Sequence, residues 1–390
     1  MDPLTGNPPV PHLASVGVAE SPPAPAAGST PPSPLLELAG AVPGTGPDTP
    51  VAWHYGDPVR EQRLLEAGEA VVDLSHRGVV RVAGPDRLSW LNSLTTQLLT
   101  GLAPGESAQT LVLSPHGHIE HDLHLVDDGT ACWITLEPGS AAELVAWLGR
   151  MRFTLRVEVA EVGTDWAVLG VTSAQMSAEI RARAAARGAV DGTALGAVDE
   201  AALPPVWVDP WPRVGPVSAV YTPSDAGEHP GVDRVWHEVP VPRDRLSDIG
   251  AGYPLAGSWA SEALRVAARR PRFGFETDHR TIPHELDLLR TAVHLQKGCY
   301  RGQETVARVH NLGRPPRRLV LLHLDGSENV LPEHGAAVLH GARAVGQVTT
   351  AARHHELGPV ALAVVKRSTP PDAVLTVDGV PAAQELVVAP

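Results

Sequence analysis

The sequence contains few cysteines and no long apolar run. Only Cys132 and Cys299 occur in 390 residues, which is too few for a disulfide framework. There is no run of about eighteen apolar residues, the length that a membrane-spanning helix needs. The first residues also lack the basic start and apolar core of a signal peptide. These absences predict a cytoplasmic protein with no membrane partner.

Basic residues are outnumbered by acidic ones. The chain has 31 Lys and Arg against 44 Asp and Glu, a formal net charge of -13. Proteins that bind the phosphate backbone concentrate Lys and Arg, so we predict no direct nucleic-acid partner. The apolar fraction of 43% is enough for sizeable cores, and 390 residues favour two or three packed units.

Composition divides the chain into three parts. Residues 1–50 are rich in Pro, Ala, Gly and Ser, and we predict a disordered tail there. Residues 51–313 alternate strand-like and helix-like patterns, whereas residues 314–390 contain only short strands with Gly and Pro turns. This order predicts an α+β fold followed by a small C-terminal antiparallel β-barrel.

The most informative stretch is Lys297–Glu304, which places Cys299 between two glycines. A helix is predicted to begin just after the second glycine, with its positive end near the cysteine. Lys297 and Arg301 add formal charge on either side, and all three features favour a thiolate. The alternative is that Cys299 is a core residue and the charges point to water. For Cys132, in an apolar strand-like run, we predict a buried small hydrophobe.

Lys297–Glu304 resembles the signature of the YgfZ family. The runs Arg272–Asp278, Thr281–Glu285 and Trp90–Gln97 are similar to other segments of that family. The resemblance covers the chain from about residue 51 to its end. It implies a fold like that of the glycine-cleavage T-protein, with folate-binding lobes around a central opening and a C-terminal barrel. It also implies a role in assembling or repairing iron–sulfur enzymes, including radical enzymes that modify tRNA.

The resemblance also implies site residues, a cofactor and partners. The cofactor is tetrahydrofolate, no metal is assigned, and the partners are iron–sulfur client or assembly proteins. One cysteine cannot hold a stable cluster alone, so a partner protein or small thiol is needed. The residues predicted to carry the chemistry are Cys299, Lys297 and Arg301. The residues predicted to bind the cofactor or fix its loop are Asp122, Tyr300, Gln303 and Glu304.

Two positions depart from the resemblance. T-proteins have an acidic pair where this chain has His121 and Asp122. The run Leu264–Arg269 lacks the acidic residue and the glycine that the family carries in the corresponding helix. Folate binding is still expected, but the histidine weakens the expectation of T-protein-like aminomethyl transfer.

Histidines cluster in one predicted hairpin and again near the C-terminus. Their spacing matches no standard zinc signature, so we predict solvated or hydrogen-bonded side chains. The residues in question are His116, His118, His121, His124 and the run His354–Glu356.

Three other functions compete with iron–sulfur maintenance. The first is a folate-dependent aminomethyltransferase of the glycine-cleavage type. The second is a binding module that senses folate and has no chemistry. A tRNA-modifying enzyme is the least favoured, because the chain is acidic and has no recognisable base-stacking or basic groove motif.

Overall fold

The computed structural model describes residues 31–186, 203–327 and 330–390. They form two five-stranded sheets, one two-stranded ribbon and a closed six-stranded barrel. This confirms the predicted α+β fold with a C-terminal barrel. Within these ranges, no helix has the length and apolar character needed to cross a membrane.

The first lobe is built on an antiparallel sheet in the order β5-β6-β7-β4-β8. Its strands are β4 (Gly78–Ala83), β5 (Ser107–Leu113), β6 (Ile119–Asp127), β7 (Ala131–Leu136) and β8 (Glu158–Glu161). Helices α2 (Arg87–Leu94) and α3 (Ala141–Met151) cover one face. Cys132 is fully buried in this core, which confirms its prediction as a small hydrophobe.

The second lobe is built on a mixed sheet in the order β10-β11-β9-β3-β12, with β12 parallel to β3. Its strands are β3 (Val71–Asp73), β9 (Trp166–Val171), β10 (Trp207–Val208), β11 (His237–Pro242) and β12 (Leu255–Ala256). Its helices are α1 (Pro58–Glu66), α4 (Ala174–Ala185), α5 (Leu246–Gly250) and α6 (Ser258–Ala267).

The barrel closes in the order β13-β16-β15-β14-β17-β18. Its strands are β13 (Arg317–Leu324), β14 (Ala337–His340), β15 (Arg343–His354), β16 (Gly358–Lys366), β17 (Leu375–Val377) and β18 (Val380–Leu386). Helices α7 (Leu289–Ala292) and α8 (Gln303–Leu312) lie between the barrel and the first lobe. Because α6 contributes Ala263 and Val266 to the same apolar cluster, it joins the second lobe to the barrel.

The N-terminal segment is ordered earlier than its composition predicts. Disorder as far as residue 50 is wrong for residues 31–50, which include strand β1 (Val42–Pro43) paired with β2 (Ala52–His54). Leu35 is 1% exposed because it packs in the core of the second lobe. A composition argument counts only the apolar surface within the segment, whereas this segment is stabilised by surface that the rest of the protein provides. Residues 1–30 lie outside the described residues.

Candidate functional site

The two lobes and the segment 270–273 surround a central cavity of about 50 Å³. Six carboxylates and five guanidinium groups line it, together with aromatic side chains that include Trp236 and Phe273. The negative and positive charges nearly balance. The cavity is therefore polar and rich in ion pairs, and it does not carry a large net charge of either sign. Titratable groups with perturbed pKa values that converge on a cavity mark a candidate binding or catalytic site.

One face of β6 leads from the surface into this cavity. Glu120, Asp122 and His124 alternate along the strand and therefore point to the same side, over about 13 Å at ~3.3 Å per residue. Asp122 is 8% exposed, lines the cavity, and accepts two hydrogen bonds from the side-chain amide of Gln109, at 3.0 and 2.8 Å. The imidazole of His124 stacks on Trp207, with ring centroids 3.8 Å apart.

Glu238, on β11, is a fully buried carboxylate in the cavity wall. Its Oε1 accepts hydrogen bonds from Arg77 at 2.6 Å and from Nδ1 of His124 at 3.0 Å, and its Oε2 accepts one from Thr135. Burial alone would raise the pKa of Glu238, but Arg77 and His124 hold it well below its usual range. Glu238 is therefore ionised at neutral pH.

Two arginines cross the cavity and share one carboxylate. Arg77 donates to Glu137 at 3.0 Å, and Arg272 donates to the other oxygen of Glu137 at 2.8 Å. Arg272 also donates to both oxygens of Asp48, at 3.0 and 2.7 Å. Asp48 comes from the N-terminal segment and so ties that segment to the cavity wall. Although burial would raise the pKa of Asp48, Arg272 lowers it well below its usual range.

Helix α6 supplies a carboxylate to the cavity, although not at the position where the family carries its acidic residue. The run Leu264–Arg269 lacks an acid, but Glu262 lies two residues before it on the same helix and lines the cavity. Arg265 donates to both oxygens of Glu262, at 2.9 and 2.7 Å, and to Glu276 at 2.9 Å. The helix therefore keeps a buried acid beside the cavity, paired with its own arginine.

Cys299 is exposed, which rules out its interpretation as a core residue. The two neighbouring cations are bonded elsewhere. The ammonium of Lys297 donates to the carbonyls of Asn92, Thr95 and Gln97 at 2.5–2.6 Å and so ties the loop to the end of α2. Burial lowers the pKa of Lys297 to about 7, an effect that the three carbonyls oppose because they favour the ammonium form.

Arg301 also has a partner other than the thiol. Its guanidinium donates to both oxygens of Glu120, at 2.7 and 3.2 Å. Lys297 and Arg301 were predicted to favour the thiolate form of Cys299, and that prediction stands as a prediction; the hydrogen bonds of the two cations go to the first lobe. Both cations instead fix the loop on the first lobe, and Arg301 fixes it at the outer end of the β6 face that carries Asp122.

The second glycine of the cysteine motif is required by geometry. Gly302 caps α8 with φ of 84°, and a Cβ there would lie 2.6 Å from the carbonyl oxygen of Ser114. The predicted helix start after this glycine is confirmed. The first glycine, Gly298, has neither a positive φ nor a close neighbour, so it shows no such requirement.

The remaining predicted cofactor residues are separated from Asp122. Tyr300 and Gln303 line a different groove of about 350 Å³ beside α8, and Glu304 is exposed on that helix. Burial raises the pKa of Tyr300 to about 12. Gln303 donates to the backbone carbonyl of Lys297 at 3.3 Å, which supports its predicted role in fixing the loop. The four residues therefore do not form one cofactor site.

Among the described residues, the hairpin histidines form no group that could hold a metal ion. A group with suitable spacing lies elsewhere and consists of Glu66, His354 and His355. In this group Nδ1 of His354 accepts two backbone N–H groups at 3.2 Å, which leaves the proton on Nε2 when the ring is neutral. A protonated Nε2 is not a metal ligand, so we assign no metal there. Nε2 of His355 instead pairs with Glu66 at 2.9 Å.

Comparisons with known proteins give the family. Residues 40–186 match the GCVT N-terminal domain, and residues 317–384 match the glycine cleavage T-protein C-terminal barrel domain. Together the two matches span more than half of the chain. The protein belongs to the glycine cleavage T-protein superfamily.

The relatives of this T-protein superfamily member are distant. An aminomethyltransferase of Bacillus subtilis is 25% identical over 323 residues, covering 80% of this chain and 83% of that protein. A chloroplastic protein of Arabidopsis thaliana that carries a transferase name is 26% identical over 299 residues, covering 73% of this chain and 62% of that protein. The structure of glycine cleavage system aminomethyltransferase T from Bartonella henselae superposes with a TM-score of 0.70 at 19% identity. It covers 91% of this chain and 95% of that one, and shows a shared fold.

Sequence reasoning found one cavity residue, Asp122, and missed most of the others. Arg77, Glu137 and Glu238 carry no motif that separates them from ordinary charged residues, and Arg272 begins a run that resembles the family without any role having been predicted for it. The available signal was their position beside apolar strands, where a charged side chain needs a buried partner.

Proposed function

We propose that the central cavity binds tetrahydrofolate and that the protein is a folate-dependent aminomethyltransferase of the glycine-cleavage type. The observation that carries this proposal is the buried, ionised Glu238 in a cavity that Asp122 also lines. The aminopyrimidine edge of a pterin presents adjacent N–H donors, which a carboxylate accepts. Trp236 and Phe273 offer aromatic surface for the flat ring. Relatives named aminomethyltransferase support the same assignment.

The reaction needs one group that handles a proton near the folate nitrogens. The aminomethyl carbon forms bonds to N5 and N10 of the folate, while its C–S bond to the carrier and its C–N bond to the amino group both break. The two hydrogens lost from those nitrogens appear on the carrier thiol and on the released ammonia. Asp122 is the carboxylate placed to accept or orient such a proton. His121 is buried beside Phe273, with ring centroids 6.4 Å apart, and burial lowers its pKa. Its imidazole is therefore neutral at pH 7 and does not replace the second carboxylate of the acidic pair.

Calorimetric titration with tetrahydrofolate tests the proposal. We expect saturable binding to the wild type and binding at least about tenfold weaker to Asp122→Ala, because a charged hydrogen bond contributes about 1.5–3 kcal/mol. Asp86→Ala is the matched control, since Asp86 pairs with exposed Arg156 on the surface. Equal affinity in all three proteins would remove Asp122 from the site, and no binding to the wild type would refute the folate function.

A second candidate function comes from Cys299, an exposed thiol on a loop anchored by Lys297 and Arg301. In this alternative the protein is a YgfZ-type folate-binding factor that supports the assembly or repair of iron–sulfur enzymes, and the thiol acts with a partner protein. Folate binding is common to both candidates, whereas the role of the thiol differs.

Cys299→Ser separates the two candidates. The transferase should release ammonia from tetrahydrofolate and an aminomethyl-lipoyl donor, and we expect the serine variant to do so at the wild-type rate, because Cys299 does not line the cavity. Ammonia release by both proteins at equal rates supports the transferase. If neither protein releases ammonia and only the wild type restores an iron–sulfur client enzyme, the second candidate is supported instead.

A further inference from the structure

The carboxylate that the proposed function assigns to the pterin is already occupied. Arg77 donates to Glu238 at 2.6 Å through one terminal nitrogen and to Glu137 at 3.0 Å through the other. The side chain of Arg77 is about nine-tenths buried. Arg77 is therefore an internal component of the cavity and not a surface cation that folds over it.

The guanidinium resembles the ligand edge that it would exclude. It presents two N–H groups joined through one carbon, in a planar fork. The aminopyrimidine of a pterin presents the same H–N–C–N–H arrangement through its ring nitrogen and 2-amino group. In the structure this fork is divided between two carboxylates, since one terminal nitrogen donates to Glu238 and the other donates to Glu137. Arg77 therefore provides internally one N–H donor to Glu238 that a folate would provide on binding.

The cavity cannot hold both groups. Its free volume is about 50 Å³, whereas cavities that bury small-molecule ligands typically measure ~300–1,000 Å³. The largest flexible side chains in its wall are arginines, and Arg77 is the arginine bonded to Glu238. Entry of a flat bicyclic ring next to Glu238 therefore requires Arg77 to leave.

Two features of the surroundings of Arg77 oppose its binding to Glu238. Its Nε–H is buried and has no hydrogen-bond partner among the described residues. Arg272 lies close enough to repel it, because the two guanidinium groups share Glu137. An unpaired buried donor beside a like charge makes this position less favourable than the two ion pairs alone would suggest.

We propose that Arg77 occupies the aminopyrimidine position of the cavity and sets its affinity and specificity for folate, which binds only when the guanidinium leaves Glu238. This inference rests on the proposed function. It makes Arg77 a competitor of the ligand, in contrast to Asp122, which assists the ligand. The apparent affinity is then the intrinsic affinity multiplied by the fraction of molecules in which Arg77 has left Glu238.

Titration of arginine variants with tetrahydrofolate tests this assignment. We expect Arg77→Ala to bind at least about tenfold tighter than the wild type, because the competitor is gone and the ligand replaces the donor that Glu238 has lost, beside His124 and Thr135. Arg77→Lys keeps the charge but loses the planar fork, so it should fall between the two. Arg156→Ala, a surface control paired with Asp86, should match the wild type. Equal or weaker binding by Arg77→Ala would overturn the role of Arg77 while leaving the folate function intact.

A fragment measurement keeps the two proposals distinguishable. Isocytosine carries the aminopyrimidine fork alone, and we expect it to raise the melting temperature of Arg77→Ala but not of the wild type. Methylguanidinium should do the same, since it restores the missing group. A fragment shift without folate binding in any variant would support Arg77 as the occupant and refute the folate function. If neither folate nor fragment binds to any variant, both proposals fail.

Discussion

Arg265→Met should lower the free energy of unfolding by about 3–5 kcal/mol, the cost of removing one partner from a buried ion pair. Arg265 is 6% exposed and donates to Glu262, Glu276 and, at 2.9 Å, the hydroxyl of Thr350 on the barrel strand β15. It therefore joins the second lobe to the barrel. Without it, two carboxylates remain buried with fewer donors, and methionine restores only the packing of the alkyl chain.

Urea unfolding monitored by tryptophan fluorescence measures this loss. Arg156→Met is the matched control, because Arg156 pairs with Asp86 while most of its side chain is exposed. Exposed pairs contribute about 0–1 kcal/mol, so the control should scarcely change the midpoint. If Arg265→Met also lost less than about 1 kcal/mol, the network would not be what joins the lobe to the barrel.

Stability should fall steeply in acid, beginning just below neutral pH. Burial lowers the pKa of both His229 and His284 to about 4, so the unfolded chain takes up protons that the folded protein does not as the pH falls through about 6.5. The contribution of these two neutral histidines to the free energy of unfolding is fully present above about pH 7. It decreases as the pH falls from there to about 4. The two histidines therefore determine the pH at which stability begins to fall.

Buried carboxylates extend the loss to lower pH. The pKa values of Asp48, Glu238 and Asp278 are lowered by neighbouring arginines against the opposing effect of burial. Their stabilisation is present above the ordinary carboxyl pKa of about 4 and is lost as the pH falls below it. Asp287 contributes with the opposite sign, because burial raises its pKa.

Urea midpoints at pH 7, 5 and 3.5 test the acid prediction. We expect a monotonic decrease and a loss of several kcal/mol by pH 3.5. Glu238→Gln should show a shallower decrease below pH 5, because one of the lowered carboxylates has been removed. Midpoints that do not change between pH 7 and 3.5 would contradict both the histidine and the carboxylate contributions.

The sequence predicted those features that depend on residues close together along the chain. Short strands between Gly and Pro turns predicted the barrel, and the motif around Gly302 predicted the start of α8. The apolar run around Cys132 predicted its burial. Each of these is encoded within a window of about ten residues, where backbone preference and side-chain periodicity act directly.

Tertiary structure alone decided the pairing of charges. Lys297 and Arg301 flank Cys299 in the sequence, yet they bond to the end of α2 and to Glu120, because the fold brings these acceptors nearest to them in space. Tyr300 follows the cysteine but lines a groove apart from Asp122. Adjacency in the motif therefore did not predict a shared site.

The cavity is the clearest case of this difference. Asp48, Arg77, Glu137, Glu238 and Arg272 span more than 220 positions and meet in one wall. The sequence by itself determined the superfamily fold, the barrel and the position of Asp122 on a strand. Only the folded chain decided that Arg77 occupies Glu238, because the partner of a buried charge is set by which segments the fold brings within about 3 Å, and that distance is not encoded in any single segment.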